Sequence, residues 1–298
     1  MHTLGSPRRA VYPRQVTSPT PPTLHHVQAN GLRFAYFEEG RGPLVLLLHG
    51  FPDTPHTWDA ARPALAAAGF RAVTPFTRGY APTEIPREEA YDADTLGRDA
   101  IALIEALGEE RAFLVGHDWG ASAAYSAAGL APARLRMLVT LAIPHPAAIL
   151  PTPRILWRLR HFLVLAWRGA AAKIRAEDFG YIDTLVRRWS PAWDVPPGET
   201  AAVKAALREP GSLEAALGYY RAQRPWLPAG QRRKVTVPAA AFAGDTDLLP
   251  PAAYERARPR YADRYEVVPF PGGHFMHREH PGAFTRELLR VLEAERAR

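Results

Sequence analysis

Apolar runs alternate with segments of helical periodicity along most of the chain. Between residues 43 and 144, each apolar run is typical of a strand buried on both faces, and a helical segment follows most of them. The predicted strands are PLVLLLHG (43–50), FRAVTPF (70–76), RAFLVGHD (111–118) and RLRMLVTLAIP (134–144), and the predicted helices are 57–68, 92–108 and 119–130. Before them, HHVQANGLRFAYFEEG indicates two strands joined by a turn at Ala29-Asn30-Gly31. This order predicts an α/β fold with a mostly parallel, doubly wound sheet.

The alternation stops between residues 146 and 228, where Arg- and Trp-rich helical segments are broken by SPAW and VPPG. This change predicts a helical cap inserted after the sixth strand. The pattern then resumes with strands at 235–245 and 265–270, a short helix near 251–258 and a final helix over 282–296. The predicted organisation is a disordered leader, a core in two parts and a cap between them, at 1–22, 23–145 with 229–298, and 146–228.

Composition excludes some functions and leaves others open. The chain has 298 residues, a net charge of +7 and no cysteine, so disulfides and thiolate chemistry are excluded. Its cations are scattered arginines without interleaved exposed aromatics, which argues against nucleic-acid binding. No apolar run reaches the ~18 residues of a membrane span, and the N-terminus lacks the apolar region of a secretory signal. We therefore expect a cytoplasmic protein without a membrane partner, and a homodimer remains open.

The stretch VGHDWGAS (115–122) has the form of a nucleophile elbow with an unusual residue at its centre. Elbows of the form G-x-S-x-G carry serine, whereas this one carries Asp118. The small neighbours Gly116 and Gly120 would let the central side chain project from a sharp strand-to-helix turn. The alternative is that Asp118 caps the following helix and both glycines serve packing. The motif alone leaves these two interpretations open.

A second motif, His49-Gly50-Phe51-Pro52, follows the buried strand 43–50. A loop at this point can direct the backbone N–H of Phe51 toward the elbow. Together with the N–H of Trp119, it would form an oxyanion hole, in which each donor is worth ~3–4 kcal/mol to a charged transition state. The alternative is a tight loop with no catalytic role.

Two further strands end in residues that could complete a catalytic site. FAGDTDLLPP offers Asp247 or Asp245 as the partner of a histidine, and FPGGHFMHREHP offers His274. We expect the competing His277 and His280 to be solvated surface residues, and their spacing is weak support for a metal. Nucleophile, acid and histidine then occur in chain order, each at a predicted strand end, where α/β folds place their catalytic groups.

On these motifs, everything after residue 23 resembles the α/β-hydrolase fold. Within it, GHDWG resembles the branch of epoxide hydrolases and haloalkane dehalogenases, and HGFP favours epoxide hydrolase. The resemblance implies that Asp118 attacks an epoxide carbon and forms an alkyl ester, with no metal or cofactor. His274, oriented by Asp247, would then activate the water that hydrolyses the ester. A carboxylate suits this chemistry because it can displace at an sp³ carbon without a base to deprotonate it.

The resemblance also implies an acid in the cap, usually a pair of tyrosines. EAALGYYRAQ resembles the segment that carries one of them, which assigns the role to Tyr220. The position of the second falls on or near His161; Tyr181 or Tyr220 alone are the alternatives. If His161 donates a proton, activity should fall toward alkaline pH. We assign the remaining substrate contacts to His49, Pro52, Tyr219 and Trp157.

The alternative function, haloalkane dehalogenase, would use the same triad. It requires two N–H donors for the departing halide, commonly Trp119 and a second residue. Phe51 has no polar side chain to serve as the second donor, but Trp157 or Trp167 of the cap could do so. A serine esterase is excluded because Ser122 and Ser126 lie inside the predicted helix rather than at the elbow.

Overall fold

The computed structural model describes residues 22–298, and its centre is one eight-stranded sheet. The strands are β1 (Leu24–Ala29), β2 (Leu32–Glu39), β3 (Leu44–Leu48), β4 (Arg71–Pro75), β5 (Ala112–His117), β6 (Leu135–Leu141), β7 (Ala239–Gly244) and β8 (Tyr265–Phe270). Their spatial order is β1-β2-β4-β3-β5-β6-β7-β8. β2 pairs antiparallel with β1 and β4, and all other pairs are parallel. The predicted mostly parallel sheet is confirmed.

Helices cover both faces of the sheet. Those of the first part are α1 (Ala61–Ala67), α2 (Ala93–Ala106) and α3 (Trp119–Leu130). Between β6 and β7 lie α4 (Pro153–Arg158), α5 (His161–Ala166), α6 (Ala170–Trp189), α7 (Ala201–Arg208) and α8 (Ser212–Arg221). The chain ends with α9 (Ala229–Arg232), α10 (Pro251–Arg256), α11 (Met276–Glu279) and α12 (Pro281–Arg296). The helical insertion after the sixth strand is therefore confirmed, while the domain limits at residues 146 and 228 stay a prediction.

Alternation along each strand sends side chains to two separate cores. In β3, Leu44, Leu46 and Leu48 pack with α2, α3 and the cap, whereas Val45 and Leu47 pack with α1 and α12. All five are nearly or fully buried, which is why the strand lacks polar positions. Each such leucine contributes about 1.5–3 kcal/mol by burial. The sheet is thus a rigid platform for the loops at its edges.

Parallel pairing places the carboxyl ends of β3, β5, β7 and β8 at one edge of the sheet. The loops that follow these four strands carry Phe51, Asp118, Asp247 and His274. The short loops keep these side chains at the edge, where the cap helices cover them. The predicted leader lies outside the described residues, apart from residue 22. Within residues 22–298, no helix is both long and apolar enough to cross a membrane.

Candidate active site

Asp118 lies at a sharp turn between β5 and α3. Its backbone adopts φ 54° and ψ −117°, a strained conformation for a residue with a Cβ. The neighbouring glycines are required sterically, because a Cβ on Gly116 would lie 2.3 Å from the Gly120 carbonyl oxygen. A Cβ on Gly120 would lie equally close to the Leu48 carbonyl oxygen. The chain therefore tolerates strain at one residue in order to present a carboxylate at the end of β5.

A hydrogen bond connects Asp118 to a histidine, which in turn contacts a second carboxylate. The Nε2 atom of His274 lies 3.3 Å from Asp118 Oδ2, and its Nδ1 atom lies 3.0 Å from Asp247 Oδ1. All three residues are buried or at the limit of burial. Asp245, the competing carboxylate, instead accepts the Gly272 backbone N–H at 2.9 Å. The three residues predicted as a triad therefore lie together in one line of contacts.

The two competitors of His274 have different environments. His280 is exposed, as expected. His277 is not a surface residue, so that expectation was wrong: it is 3% exposed and packs against Trp58 and His117. Its Nε2 atom lies 2.5 Å from the Thr57 hydroxyl. Aromatic packing over the helical turn of α11 turns this ring inward, which the spacing of the histidines did not reveal.

The charges of the triad support one another. Burial alone would raise the pKa of Asp118, but the hydrogen bond and charge of His274 and the Phe51 N–H hold it below its usual value. Burial alone would lower the pKa of His274, but Asp247 and Asp118 outweigh it and raise the pKa to about 10. The resting site therefore favours an imidazolium at His274 beside an ionised Asp118.

The Phe51 backbone N–H donates to Asp118 Oδ1 at 2.8 Å. The N–H of Trp119, the first residue of α3, belongs to the helix N-terminus and has no partner inside the helix. A Cβ on Gly50 would lie 2.3 Å from Asp118 Oδ1 and 2.7 Å from the Trp119 nitrogen. Oδ1 and both backbone nitrogens therefore surround one small space, which glycine keeps open. This is the geometry expected of an oxyanion hole.

The cap places Tyr220 over this space. Its ring is 3% exposed and packs edge-on against Phe51 at 5.3 Å, Trp119 at 5.1 Å and Phe162 at 5.1 Å between centroids. Burial, and then the charge of Asp118, raise the pKa of the Tyr220 phenol well above its usual value. The hydroxyl therefore stays protonated next to a carboxylate, as a hydrogen-bond donor must.

His161, the first residue of α5, lines a cavity that also includes Asp118 in its wall. It is 3% exposed and packs against Trp189 at 4.6 Å and Phe162 at 4.9 Å between ring centroids. Among the described residues, its Nδ1 atom has no hydrogen-bond partner. Burial lowers the pKa of His161 to about 3, so the imidazole is neutral at physiological pH. The expected loss of activity toward alkaline pH therefore does not follow from this residue and is withdrawn.

These groups enclose a cavity of about 150 Å³ between the strand ends and the cap. Its wall includes Asp118, Trp119, His161, Phe162, Trp189 and His274. The indole nitrogens of Trp119 and Trp189 are buried and have no partner within residues 22–298. A mostly apolar cavity with a few unpaired donors near a carboxylate suits a small organic substrate.

Several residues assigned to substrate contact lie outside this cavity. Trp157 is 67% exposed and stacks on Arg160, whose guanidinium carbon lies 4.2 Å from its ring. Tyr219 turns away and donates its hydroxyl to the Arg78 carbonyl at 2.5 Å. Adjacent tyrosines on a helix point about 100° apart, so only one of the pair can face Asp118.

His49 and Pro52 are also buried away from the cavity. His49 Nδ1 lies 2.9 Å from the Gly50 carbonyl oxygen, and its Nε2 accepts the Thr77 N–H at 3.1 Å. This side chain therefore fixes the HGFP loop.

Tyr181, an alternative partner of Tyr220, does not line the cavity, and the Lys173 ammonium lies 5.1 Å from its ring centroid. Trp167 is 61% exposed and does not reach the site.

The motifs gave no indication that Phe162, Arg224, Leu227 and Pro228 line the cavity. Phe162 directly follows His161, and helical periodicity alone predicts an exposed position for it. The sequence therefore does not indicate that Phe162 lines the cavity. Arg224 and Trp226 form a wall shared by the cavity and a wider surface groove of about 650 Å³. These residues follow the last cap helix, where the sequence pattern carries no directional information.

Among residues 22–298, the side chains of Asp53, His117 and His277 form the group that most resembles a metal site, with ligand atoms within 4.8 Å of one another. Arg278 lies 3.2 Å from both carboxylate oxygens of Asp53. A fixed guanidinium on the only anionic ligand disfavours a second cation there. The cluster therefore fits an ion pair beside two neutral histidines better than a metal ion.

A strained aspartate elbow, a paired histidine and a helical cover define a hydrolase of the α/β type. The chain belongs to the α/β-hydrolase family, whose model matches residues 43–281. It is 28% identical to the AB hydrolase superfamily protein YfhM of Bacillus subtilis, over 90% of this chain and 96% of that protein. It is 30% identical to Epoxide hydrolase A of Mycobacterium tuberculosis, over 91% of this chain and 97% of that protein.

Solved structures give the same result. Epoxide Hydrolase A from Mycobacterium thermoresistibile superimposes with a TM-score of 0.73 at 26% identity, over 91% of this chain and 98% of that one. The alignment covers nearly the whole of both chains, so the similarity includes the cap as well as the core.

Proposed function

We propose that this protein is an epoxide hydrolase that opens an oxirane to a vicinal diol through an ester on Asp118. The observation that carries the proposal is a protonated phenol, Tyr220, packed against Phe51 and Trp119 close to an ionised elbow carboxylate, Asp118, which lines an apolar cavity. The relatives named epoxide hydrolase support the same activity. A serine elbow would suit an acyl substrate, whereas a carboxylate suits displacement at a strained sp³ carbon.

In the first step, an oxygen of Asp118 attacks an epoxide carbon and the ring C–O bond breaks. The released alkoxide takes a proton from Tyr220, because alkylation removes the charge of Asp118 that helped to raise the pKa of this phenol. His161 presents a neutral imidazole to the same cavity and can donate one hydrogen bond to the ring oxygen. The product of this step is an alkyl ester of Asp118 that carries a free hydroxyl.

In the second step, water attacks the carbonyl carbon of the ester. Esterification removes the charge of Asp118, which is one cause of the raised pKa of His274. The imidazolium therefore becomes more acidic and gives up its proton, which restores the Tyr220 phenol by way of solvent. The neutral imidazole, held in orientation by Asp247, then takes a proton from the attacking water and passes it to the departing diol oxygen. The backbone N–H groups of Phe51 and Trp119 stabilise the oxyanion. Breakdown of this intermediate releases the diol and restores the carboxylate.

Haloalkane dehalogenase remains the second candidate, and one observation favours it. Trp119 and Trp189 both line the cavity with unpaired indole N–H groups in the described part of the chain, a pair of donors suited to a halide. The predicted second donors, Trp157 and Trp167, are too exposed to serve, so Trp189 takes their place in this alternative. Tyr220 and His161 argue for the epoxide, because a departing halide requires no proton.

One measurement separates these functions, and a second tests the ester mechanism that they share. Styrene oxide and 1-bromobutane are offered side by side, with diol and bromide as the products measured. We expect diol, and bromide release without diol would overturn the proposal.

A single turnover in ¹⁸O-water tests the mechanism. The oxygen added to the epoxide carbon should be unlabelled, because it comes from Asp118. Label in the diol at the first turnover would instead show direct attack by water.

A further inference from the structure

The loop that carries His274 is held at four successive backbone N–H groups. The N–H of Gly272 donates to Asp245 at 2.9 Å, and that of Gly273 donates to Glu279 Oε1 at 2.8 Å. The His274 N–H donates to the Trp189 carbonyl at 2.9 Å, and the Phe275 N–H donates to the Ser190 hydroxyl oxygen at 3.0 Å. Two of the four acceptors thus come from the cap, at the C-terminal end of α6.

Ser190 is the centre of this arrangement. Its side chain is fully buried, and its hydroxyl donates to Glu279 Oε1 at 2.6 Å while it accepts the Phe275 N–H. Glu279 Oε1 in turn accepts the Gly273 N–H. The serine and the glutamate therefore hold the backbone on both sides of His274.

Packing leaves no room for this loop to shift. A Cβ on Gly273 would lie 2.6 Å from the Ser190 Cα and the Trp189 carbonyl oxygen. The Trp189 ring packs edge-on against the His274 imidazole at 5.1 Å between centroids. The end of α6 thus contacts both the backbone and the ring of the histidine.

We infer that Ser190 and Glu279 are positioning residues for His274, and that through them the cap controls the hydrolytic half of the reaction. The inference rests on the proposed function, in which His274 acts as a base only after Asp118 has been alkylated. Neither residue lines the cavity or contacts Asp118. Their loss should therefore slow ester hydrolysis and leave alkylation nearly unchanged, which a purely structural role would not do.

The test separates the two half-reactions by rapid mixing with styrene oxide, acid quenching and intact-protein mass measurement. In Ser190→Ala we expect the alkylation rate to stay within about threefold of wild type and adduct decay to slow roughly 10- to 100-fold, the cost of a misplaced catalytic group. The adduct should accumulate at steady state. Glu279→Ala should behave in the same way, while Glu279→Gln keeps an acceptor oxygen and should restore most of the decay rate.

Ser212 provides a matched control. It is another fully buried serine that joins cap to core, because its hydroxyl donates to the Gly79 carbonyl at 3.0 Å and accepts the Ala81 N–H at 3.2 Å. Ser212→Ala removes an equivalent pair of hydrogen bonds away from His274. We expect it to lower the melting temperature without accumulating adduct.

His274→Gln separates the failure of this inference from the failure of the proposed function. If it traps the adduct while Ser190→Ala and Glu279→Ala decay at the wild-type rate, the positioning role is wrong and the mechanism stands. If no variant forms an adduct, the ester mechanism itself is wrong. Equal slowing of both half-reactions, or adduct accumulation in Ser212→Ala, would also overturn the inference. If Ser190→Ala does not fold, the comparison of adduct decay in Glu279→Ala and Glu279→Gln tests the inference by itself.

Discussion

The two halves of the candidate site are held in different ways. On the strand side, hydrogen bonds of 2.8–3.3 Å join Asp118 to the Phe51 N–H and to His274, and His274 to Asp247, while Asp247 Oδ2 has no partner in the described residues. On the cap side, aromatic packing holds the rings, and polar atoms such as the indole nitrogen of Trp189 stay unpaired in the described residues. A buried polar group without a partner costs about 1–3 kcal/mol. The triad is therefore hydrogen-bonded before substrate arrives, whereas the indole nitrogen of Trp189 on the cap side awaits a substrate acceptor.

Removal of the nucleophile should have the largest effect on the strand side. Asp118→Ala leaves no carboxylate to attack, so we expect kcat to fall by about 10⁵- to 10⁶-fold, to the background rate. Diol formation from styrene oxide measures the loss. Asp245→Asn is the control, because it keeps an acceptor oxygen for the Gly272 N–H at the end of the same strand. If Asp245→Asn lost activity while Asp118→Ala stayed active, the nucleophile would be Asp245 rather than Asp118.

Blocking the space beneath Asp118 should have the next largest effect. In Gly50→Ala the new Cβ would contact Asp118 Oδ1 and the Trp119 nitrogen, so the oxyanion and its donors cannot keep their geometry. We expect a fall of about 10²- to 10³-fold in kcat, the cost of one lost oxyanion donor. Circular dichroism should show a folded protein. Wild-type kcat in a folded variant would exclude this space as the oxyanion hole.

The cap donors should matter less and unequally. Tyr220→Phe removes the general acid and should lower kcat by about 10²-fold, while His161→Phe should cost about tenfold because a neutral imidazole only donates a hydrogen bond. Presteady-state alkylation measures both, since ring opening is the step that they assist. A larger loss of alkylation rate in His161→Phe than in Tyr220→Phe would make His161 the general acid and Tyr220 the hydrogen-bond donor.

The pH dependence of His161→Phe tests the same assignment. Burial depresses the pKa of His161 to about 3, so protonation begins only far below neutral pH and the ring stays neutral as pH rises. The ratio of wild-type kcat to that of His161→Phe should therefore be constant between about pH 5 and pH 9. A ratio that declines toward alkaline pH would show instead that His161 acts as a cation.

The strand side could be predicted from the sequence because backbone geometry specifies it. A positive φ at Asp118 demands small neighbours, buried strands demand apolar runs, and parallel pairing brings strand ends together. Asp118, Asp247 and His274 each directly follow such a strand or lie in the loop after it. The motif therefore fixes both which residue is used and where its side chain lies.

The cap side could not be predicted to the same degree. Its helices carry aromatics on several faces, and only tertiary packing decides that Trp189 turns inward while Trp157 and Trp167 face solvent. The break in α6 falls on Glu177, Asp178 and Phe179, which adopt positive φ although none of them is glycine, so the sequence does not indicate it. The contacts of Ser190 with the His274 loop join positions 85 residues apart, beyond the reach of any local pattern.

The smallest effect is expected at Trp157, a cap residue that was assigned to substrate contact from the sequence but faces solvent in the structure. Trp157→Ala removes an exposed ring whose main contact is the Arg160 guanidinium, a cation–π pair worth about 0.5–1 kcal/mol at an exposed site. We expect unchanged kcat and KM for styrene oxide and a change in melting temperature of only a few degrees. Trp189→Phe, which removes an indole from the cavity wall, is the contrasting variant and should change KM. A raised KM in Trp157→Ala would mean that the cap closes over substrate and carries Trp157 into the site, so that the cap side is mobile during turnover rather than fixed.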